Sequence, residues 1–541
     1  MDRSQKYKIL DKGIRIIIIS LVFLFVIYPF LCVFLKAFYI DNKLDFTAFK
    51  FLKDENHLLI NSIKTGFLTA IVSTFIATCI ALLTLFTNKW GKRIIVFILL
   101  LTMVTPPFIS SLTYIELFGR NGFITKHILG LSLNPYGLLG IVSVQTLGFT
   151  SLNATLLIGY LDSFDMTMIE SAKSLRASTT AIVKDIILPL MVPPIAVSVL
   201  LSFIKSVADF STPMLIGGAF NTLATESYLS VIEKGNTMRA AAMSIVIFLP
   251  SIIVFFVYTY FLKRQNSASK IMRSSQVKLK KSGIYYIIAA VAVFFIIWIS
   301  IQYIAIFMSS FTGKSKGNIY FTLDNIKQAI PYIKTSFIRS IVYSVIAGLI
   351  VSFLGLLVSY YSYLRGIKHM KILDMLSNLP YIIPGTFFGL GYIFAFHDYP
   401  FKLTGTAAIV ILNLIFRQLP LAIRAVQSKM TQITKATINS SKDLGAHELN
   451  TFKDIVLPMS KQGLFLSFTN TFISSMTTIG SIIFLVYPNR KLATLVLFDL
   501  VSSGKYNIAS VLSSVIIIIC LIFSLTSYRL LHRRDNVFRD N

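Results

Sequence analysis

Few side chains in this 541-residue chain could do chemistry, and their spacing narrows what kind. Asp209 is followed closely by Ser211, Thr212 and Pro213, which sets one carboxylate beside two hydroxyls just past the end of an apolar run. Hydroxyls recur at Thr478 and Ser481, and a shift of 269 residues, which lays one half of the chain on the other, puts Thr478 at the position of Asp209. Hard cations prefer oxygen ligands, so such a set could line a translocation path through a broken helix, although one carboxylate could not hold a cation tightly. The same spacing also suits an aspartate that caps a helix restarting at Pro213. Lys64, Lys205, Asp374 and Lys461 lie within a turn or two of a run's end, where they can snorkel, whereas Arg417 sits deeper and Glu116 closes the third run. Gly313-Lys314-Ser315 ends like a phosphate-binding loop, but the first glycine of that motif should fall where Met308 stands. The six histidines are scattered singly, and Cys32, Cys79 and Cys520 lie within apolar runs without CxxC spacing. We expect no disulfide framework, no intrinsic metal centre and no cofactor, and no nucleophile–histidine–carboxylate constellation marks an enzyme.

The elements that must position these groups are membrane spans. The chain is 55% hydrophobic and 14% charged, with a mean hydropathy of +0.74; a soluble globular chain carries charge on roughly a quarter of its residues. Apolar runs of bilayer-crossing length fall at 14–38, 60–86, 94–118, 137–160, 186–208, 241–262, 283–309, 338–363, 372–396, 405–423, 455–485 and 508–531. The first follows Arg3, Lys6, Lys8, Lys12 and Arg15 but is too long for a signal-peptide core and lacks a small-residue cleavage site, so it reads as an uncleaved span. The net charge of +28 is concentrated in alternate loops, which suits topology marking rather than nucleic-acid binding and places both termini in the cytoplasm. The basic run around 263–282 reads as a cytoplasmic linker.

The shift of 269 residues aligns the two halves without gaps over some 75 positions. Ser171, Lys173, Leu175 and Ala177 fall on Ser440, Lys442, Leu444 and Ala446; Lys184-Asp185-Ile186 falls on Lys453-Asp454-Ile455; Leu188-Pro189 falls on Leu457-Pro458. Six spans separate equivalent points, so the repeat is parallel. The most informative stretch is the repeated loop: Glu170-Ser171-Ala172-x-x-x-Arg176-Ala177 through Leu188-Pro189, and Asn439-Ser440-Ser441-x-x-x-Gly445-Ala446 through Leu457-Pro458. It reads as a short amphipathic helix, a sharp turn, and a proline near the start of the next span.

This loop resembles the EAA motif of ABC importer membrane subunits, with its spacing intact in both copies. Each copy lacks one consensus residue: Arg176 stands at the usual glycine and Asn439 at the usual acid. Leu117 to Gly122, Ala208 to Pro213 running on to Gly217-Gly218, Leu379-Pro380-x-x-x-Pro384-Gly385, and Ile483 to Pro488 are similar to the fused permeases of ferric-iron importers. The resemblance implies an all-α integral membrane protein of about 12 helices in two parallel six-helix repeats, the type I ABC importer fold. Its implied divisions are 1–56, a cytoplasmic tail with the first span and an outer loop; 57–262, the first transmembrane domain; 263–282, the linker; 283–334, the seventh span and an outer loop; 335–531, the second transmembrane domain; and 532–541, a cytoplasmic tail. It further implies a bacterial inner-membrane permease that is not itself an enzyme. ATP would be hydrolysed by two partner ABC ATPase subunits, docked on coupling helices that carry Glu170, Ser171, Ala172, Arg176, Asn439, Ser440, Gly445 and Ala446. A substrate-binding protein would deliver the cargo, ferric iron first, with thiamine, a polyamine or a phosphonate as alternatives. An ion-coupled secondary carrier is the rival reading, weakened by the scarcity of acidic residues within the runs.

Overall fold

The computed structural model describes residues 3–537 apart from 41–42, 106, 121, 129, 131–133, 165–166, 267–278 and 316–317. Most of the basic linker at 263–282 and the last four residues of the tail thus lie outside the described residues. Among those described, nine helices are long and apolar enough to cross a membrane, and a tenth crossing can be counted from the pair Lys368–Ile382 and Gly385–Phe396, bent by 111°. The protein is an all-α membrane fold, and the strands among the described residues form two short antiparallel hairpins.

Three of the twelve apolar runs are not continuous helices. The run at 94–118 divides into Lys89–Val104 and Pro107–Phe118, with Thr105 extended at ψ 134°. The run at 372–396 breaks at Ile383, also at ψ 134°. Each of these residues precedes a proline, Pro106 or Pro384, whose ring excludes the helical conformation from its predecessor. The two breaks are 278 positions apart, nine more than the 269-residue shift that aligns the loops. The run at 455–485 is helical over Lys461–Thr477 and leaves the helix at Thr478, ψ 147°. Apolarity alone suggested three uninterrupted crossings; local backbone restrictions divide them.

The chain forms two compact units, each discontinuous in sequence. One comprises Met1–Ala48, Ala329–Leu497 and Val515–Asn541, and the other Phe49–Gln328 and Phe498–Ser514. In the first unit, the N-terminal span packs on helices of the second repeat. Phe25 stacks on Phe416 at 4.9 Å and Phe30 on Phe387 at 5.6 Å, and Tyr392 Oη donates to the Phe25 carbonyl at 2.9 Å. In the second unit, the Gly283–Ser310 span packs on helices of the first repeat. Trp298 stacks on Phe118 at 5.0 Å, Tyr303 Oη shares a 2.6 Å hydrogen bond with Thr105 Oγ1, and the Leu279 amide donates to the Leu85 carbonyl at 3.0 Å. Polar groups join the spans inside the second unit. Asn153 Nδ2 donates to Ser202 Oγ at 2.7 Å and to Thr74 Oγ1 at 3.3 Å, side-chain bonds that join buried helices.

Candidate functional site: a duplicated loop and a capped aspartate

The two copies of the repeated loop have the same backbone construction. In the first, the helix Thr167–Ser174 turns Ile169 and Ala172 inward and leaves Leu175 84% exposed. The Ala177 amide then donates five residues back to the Ala172 carbonyl at 3.0 Å, a Schellman closure. In the second, the helix Lys435–Asp443 leaves Leu444 88% exposed, and the Ala446 amide donates to the Ser441 carbonyl at 3.0 Å.

The closure needs a left-handed residue at its centre. Gly445 supplies it at φ 79°, and Arg176 adopts it at φ 58°. Among the described residues Arg176 is the one non-glycine with positive φ. A Cβ at Gly445 would meet nothing within 4 Å, so a side chain has room at this turn. The cost of Arg176 is therefore conformational, about 1–2 kcal/mol, and not steric. The first copy keeps the turn against its own residue preference.

The segment beyond the turn is also duplicated. Ser178 caps the restart by accepting from the Ala181 amide at 3.2 Å, and His447 occupies the equivalent extended position. A π-helical turn comes next in each copy, Ile182–Ile187 and Phe452–Val456. Pro189 and Pro458 have no amide proton for the carbonyl four residues back, and their rings crowd it. The ladder widens instead: Leu188 donates to the Val183 carbonyl and Leu457 to the Phe452 carbonyl, each five residues back. Glu170, Ser171, Arg176, Asn439, Ser440 and Gly445 are exposed along these loops, Ala172 is buried, and Ala446 is half-buried.

The polar residues read as a path fall in separate units. Asp209, Ser211 and Thr212 belong to the second unit, Thr478 and Ser481 to the first. Asp209 Oδ1 accepts from the Ser211 amide at 2.9 Å, the Ser211 hydroxyl at 2.8 Å and the Thr212 amide at 3.3 Å, so the carboxylate caps the helix Ser211–Ile216. Its Oδ2 accepts from Gln145 Nε2 at 3.0 Å, while Gln145 Oε1 accepts from Ser206 Oγ at 2.5 Å and Thr69 Oγ1 at 3.1 Å. Sequence reasoning missed Gln145, although an amide in the middle of the apolar run 137–160 was the available signal.

In the first unit, Ser481 is buried beside Gly389, where a Cβ would stand 2.6 Å from the Ser481 carbonyl oxygen. The Thr478 carbonyl accepts from Thr494 Oγ1 at 3.0 Å. Arg417, which had no role from sequence, donates to the carbonyls of Pro380 and, at 2.7 Å, Ile383, with its guanidinium 5.9 Å from the centre of the Phe388 ring. These are carbonyls freed by the Ile383-Pro384 break, so the half-buried cation stabilises the bend. Gly313-Lys314-Ser315 lies in a strand paired with Asn318–Phe321 and does not lead into a helix as a phosphate-binding loop does.

The family model described as the binding-protein-dependent transport system inner membrane component matches residues 74–267 and again 363–535, together more than half of the chain. The chain belongs to that family. Its two matches make this permease a fusion of two halves, in agreement with the 269-residue repeat. A ferric transport system permease protein of Actinobacillus pleuropneumoniae is 29% identical over 525 residues, covering 94% of this chain and 76% of the relative. A protein of Haemophilus influenzae assigned as a ferric transport system permease is 30% identical over 491 residues, covering 88% and 78%. The spermidine/putrescine transport system permease of the same organism is 25% identical, over 36% of this chain and 71% of its own length.

Proposed function

We propose that this permease is the membrane subunit of an ATP-driven importer whose cargo is ferric iron. The duplicated loop carries the reading: two helices at repeat-equivalent positions end in the same left-handed turn and expose a leucine at the tip. Such tips suit docking on a partner, because an isolated apolar side chain on a rigid turn can fill a pocket. The partners are two ABC ATPase subunits, one on Glu170, Ser171, Ala172 and Arg176 and one on Asn439, Ser440, Gly445 and Ala446. ATP binding draws the subunits together, the loops carry the movement into the spans behind Leu188-Pro189 and Leu457-Pro458, and the permease alternates between outward and inward access. The loops and both termini face the cytoplasm, and a binding protein delivers the cargo on the opposite face.

The iron assignment is supported by two relatives named for ferric transport that span most of this chain. Asp209, Ser211, Thr212, Thr478 and Ser481 offer oxygen atoms that suit a hard cation in passage. Both oxygens of Asp209 are engaged by the helix cap and by Gln145, which suits transit better than tight binding. Selectivity then rests with the binding protein. Membrane vesicles holding the permease, its ATPase and the binding protein should accumulate radiolabelled iron only with ATP. Accumulation of thiamine or a polyamine in place of iron overturns the substrate, and iron uptake driven by an ion gradient without ATP overturns the transporter class.

A further inference from the structure

Asp11 is a carboxylate in the first turns of the N-terminal span, with its side chain 9% exposed. A charge so placed is costly unless closely compensated. Arg365 Nη1 lies 2.6 Å from its Oδ1, Tyr361 Oη donates to the same oxygen at 3.0 Å, and Arg15 Nη2 stands 3.1 Å from Oδ2. Arg365 reaches in a second direction as well: its Nη2 is 2.6 Å from Glu448 Oε2. Glu448 opens the helix Glu448–Thr451, three residues after the left-handed Gly445. The guanidinium also lies 5.8 Å from the ring centre of Tyr360 and 5.4 Å from that of Tyr361. Tyr360 Oη donates to the Glu448 carbonyl at 3.3 Å, and its ring meets Phe452 at 5.0 Å. All of these residues lie in one compact unit.

We infer that Arg365 is a positioning residue that fastens the second coupling loop to the N-terminal span, so that the two move as one body when the loop is pushed. This rests on the reading of the loops as docks for the ATPase. A planar guanidinium can pair with a separate carboxylate on each of its two terminal nitrogens while its face lies on tyrosine rings, and a lysine cannot. The first copy lacks the equivalent carboxylate. Thr179 stands at the position of Glu448, 269 residues earlier. The basic Lys280 lies near Lys173 of the first loop: burial lowers the Lys173 amine from its ordinary value, Glu170 raises it, and Lys280 lowers it again.

The test reads a spin label on the purified permease, carried through Leu444→Cys or, as control, Leu175→Cys, and measures coupling and ATPase co-purification on the unlabelled transporter reconstituted with its ATPase. Arg365→Gln should mobilise the label at position 444 and leave that at 175 unchanged. It should also lower uptake per ATP hydrolysed about tenfold, with the amount of co-purified ATPase held. Arg365→Lys should fall between. Asp11→Asn should act in the same direction, and the double variant should be no worse than Arg365→Gln alone, because both changes remove one linkage. An unchanged label at 444 with unchanged coupling, or effects of the two substitutions that simply add, overturns the tether. If no ATPase co-purifies with the unaltered chain, the docking reading fails, and the label at 444 still decides whether Arg365 restrains the loop.

Discussion

The two compact units hold the same duplicated loop but place their densest charge clusters differently. In the unit built on the first repeat, Arg239 Nη2 lies 2.6 Å from Glu55 Oε2 and 3.4 Å from Glu226 Oε1, and Lys234 closes on Glu226 at 2.5 Å. Glu55 precedes the helix Asn56–Leu83, so this cluster is separated from the loop end by about 40 Å of helix. At the loop end of that unit, Leu82, Leu83, Ile169, Ala172 and Ile182 share one core with Leu279, and Lys92 pairs with Asp162 where the helix Leu138–Asp162 ends ahead of the loop. In the other unit the ionic cluster sits against the loop itself, through Asp11, Arg365 and Glu448. Duplication preserved the backbone of the loop and left the electrostatic fastening free to diverge. One copy rests on a largely apolar base, the other on a charged brace.

The largest expected effect is at the far cluster. Glu226 has a side chain only 8% exposed and depends on Arg239 and Lys234. Arg239→Ala should cost about 2–3 kcal/mol in unfolding free energy, less than the 3–5 kcal/mol of a fully buried pair because Arg239 is partly hydrated. Thermal unfolding of the purified permease measures it, and uptake per ATP by the surviving folded fraction should stay normal. A coupling defect without a stability loss would reverse the roles given to the two clusters.

Next come the exposed tips. Leu175→Asp and Leu444→Asp should each weaken ATPase binding about tenfold or more, the loss expected of a docked apolar anchor. Co-purification titrated against ATPase concentration reads this directly. A normal titration for both variants removes the loops from the interface, whereas loss for one alone would show that the copies dock unequally.

Smaller effects attend the turns. Arg176→Gly should stabilise the first loop, and Gly445→Arg should destabilise the second, each by about 1 kcal/mol, since both positions are left-handed. Hydrogen exchange of the Ala177 and Ala446 amides, the donors that close the turns, should move in opposite directions in the two variants. The smallest change is expected from Asp209→Asn. Asparagine keeps a cap oxygen, so iron uptake should fall less than twofold, while Asp209→Ala loses the cap at about 1 kcal/mol. A large loss with asparagine would show that the charge itself meets the cargo.

Much of this protein is determined by short-range sequence patterns. Twenty-residue apolarity locates the spans, the positive charge in alternate loops suggests their orientation, and the 269-residue repeat marks the two halves. The loop was legible for the same reason: a helix, a turn residue and a Leu-Pro at constant spacing are local instructions. The breaks before Pro106 and Pro384 were equally local and could have been taken from the pre-proline rule.

The contacts that only the tertiary structure decided involve partners tens to hundreds of positions apart. Asp11 and Arg365 meet across 354 residues, so neither flanking sequence announces the pair. Arg417 finds its place on carbonyls that exist as free acceptors only because another span is bent beside it. Gln145 becomes a junction of three spans through Thr69, Ser206 and Asp209. Arg176 holds a glycine's conformation because the closure of the Ala172–Ala177 turn and the packing of Ile169 and Ala172 together outweigh its own preference. Local periodicity sets where the chain crosses the membrane. Which buried polar group meets which depends on how helices distant in sequence pack, where an unmet polar group is too costly to leave alone.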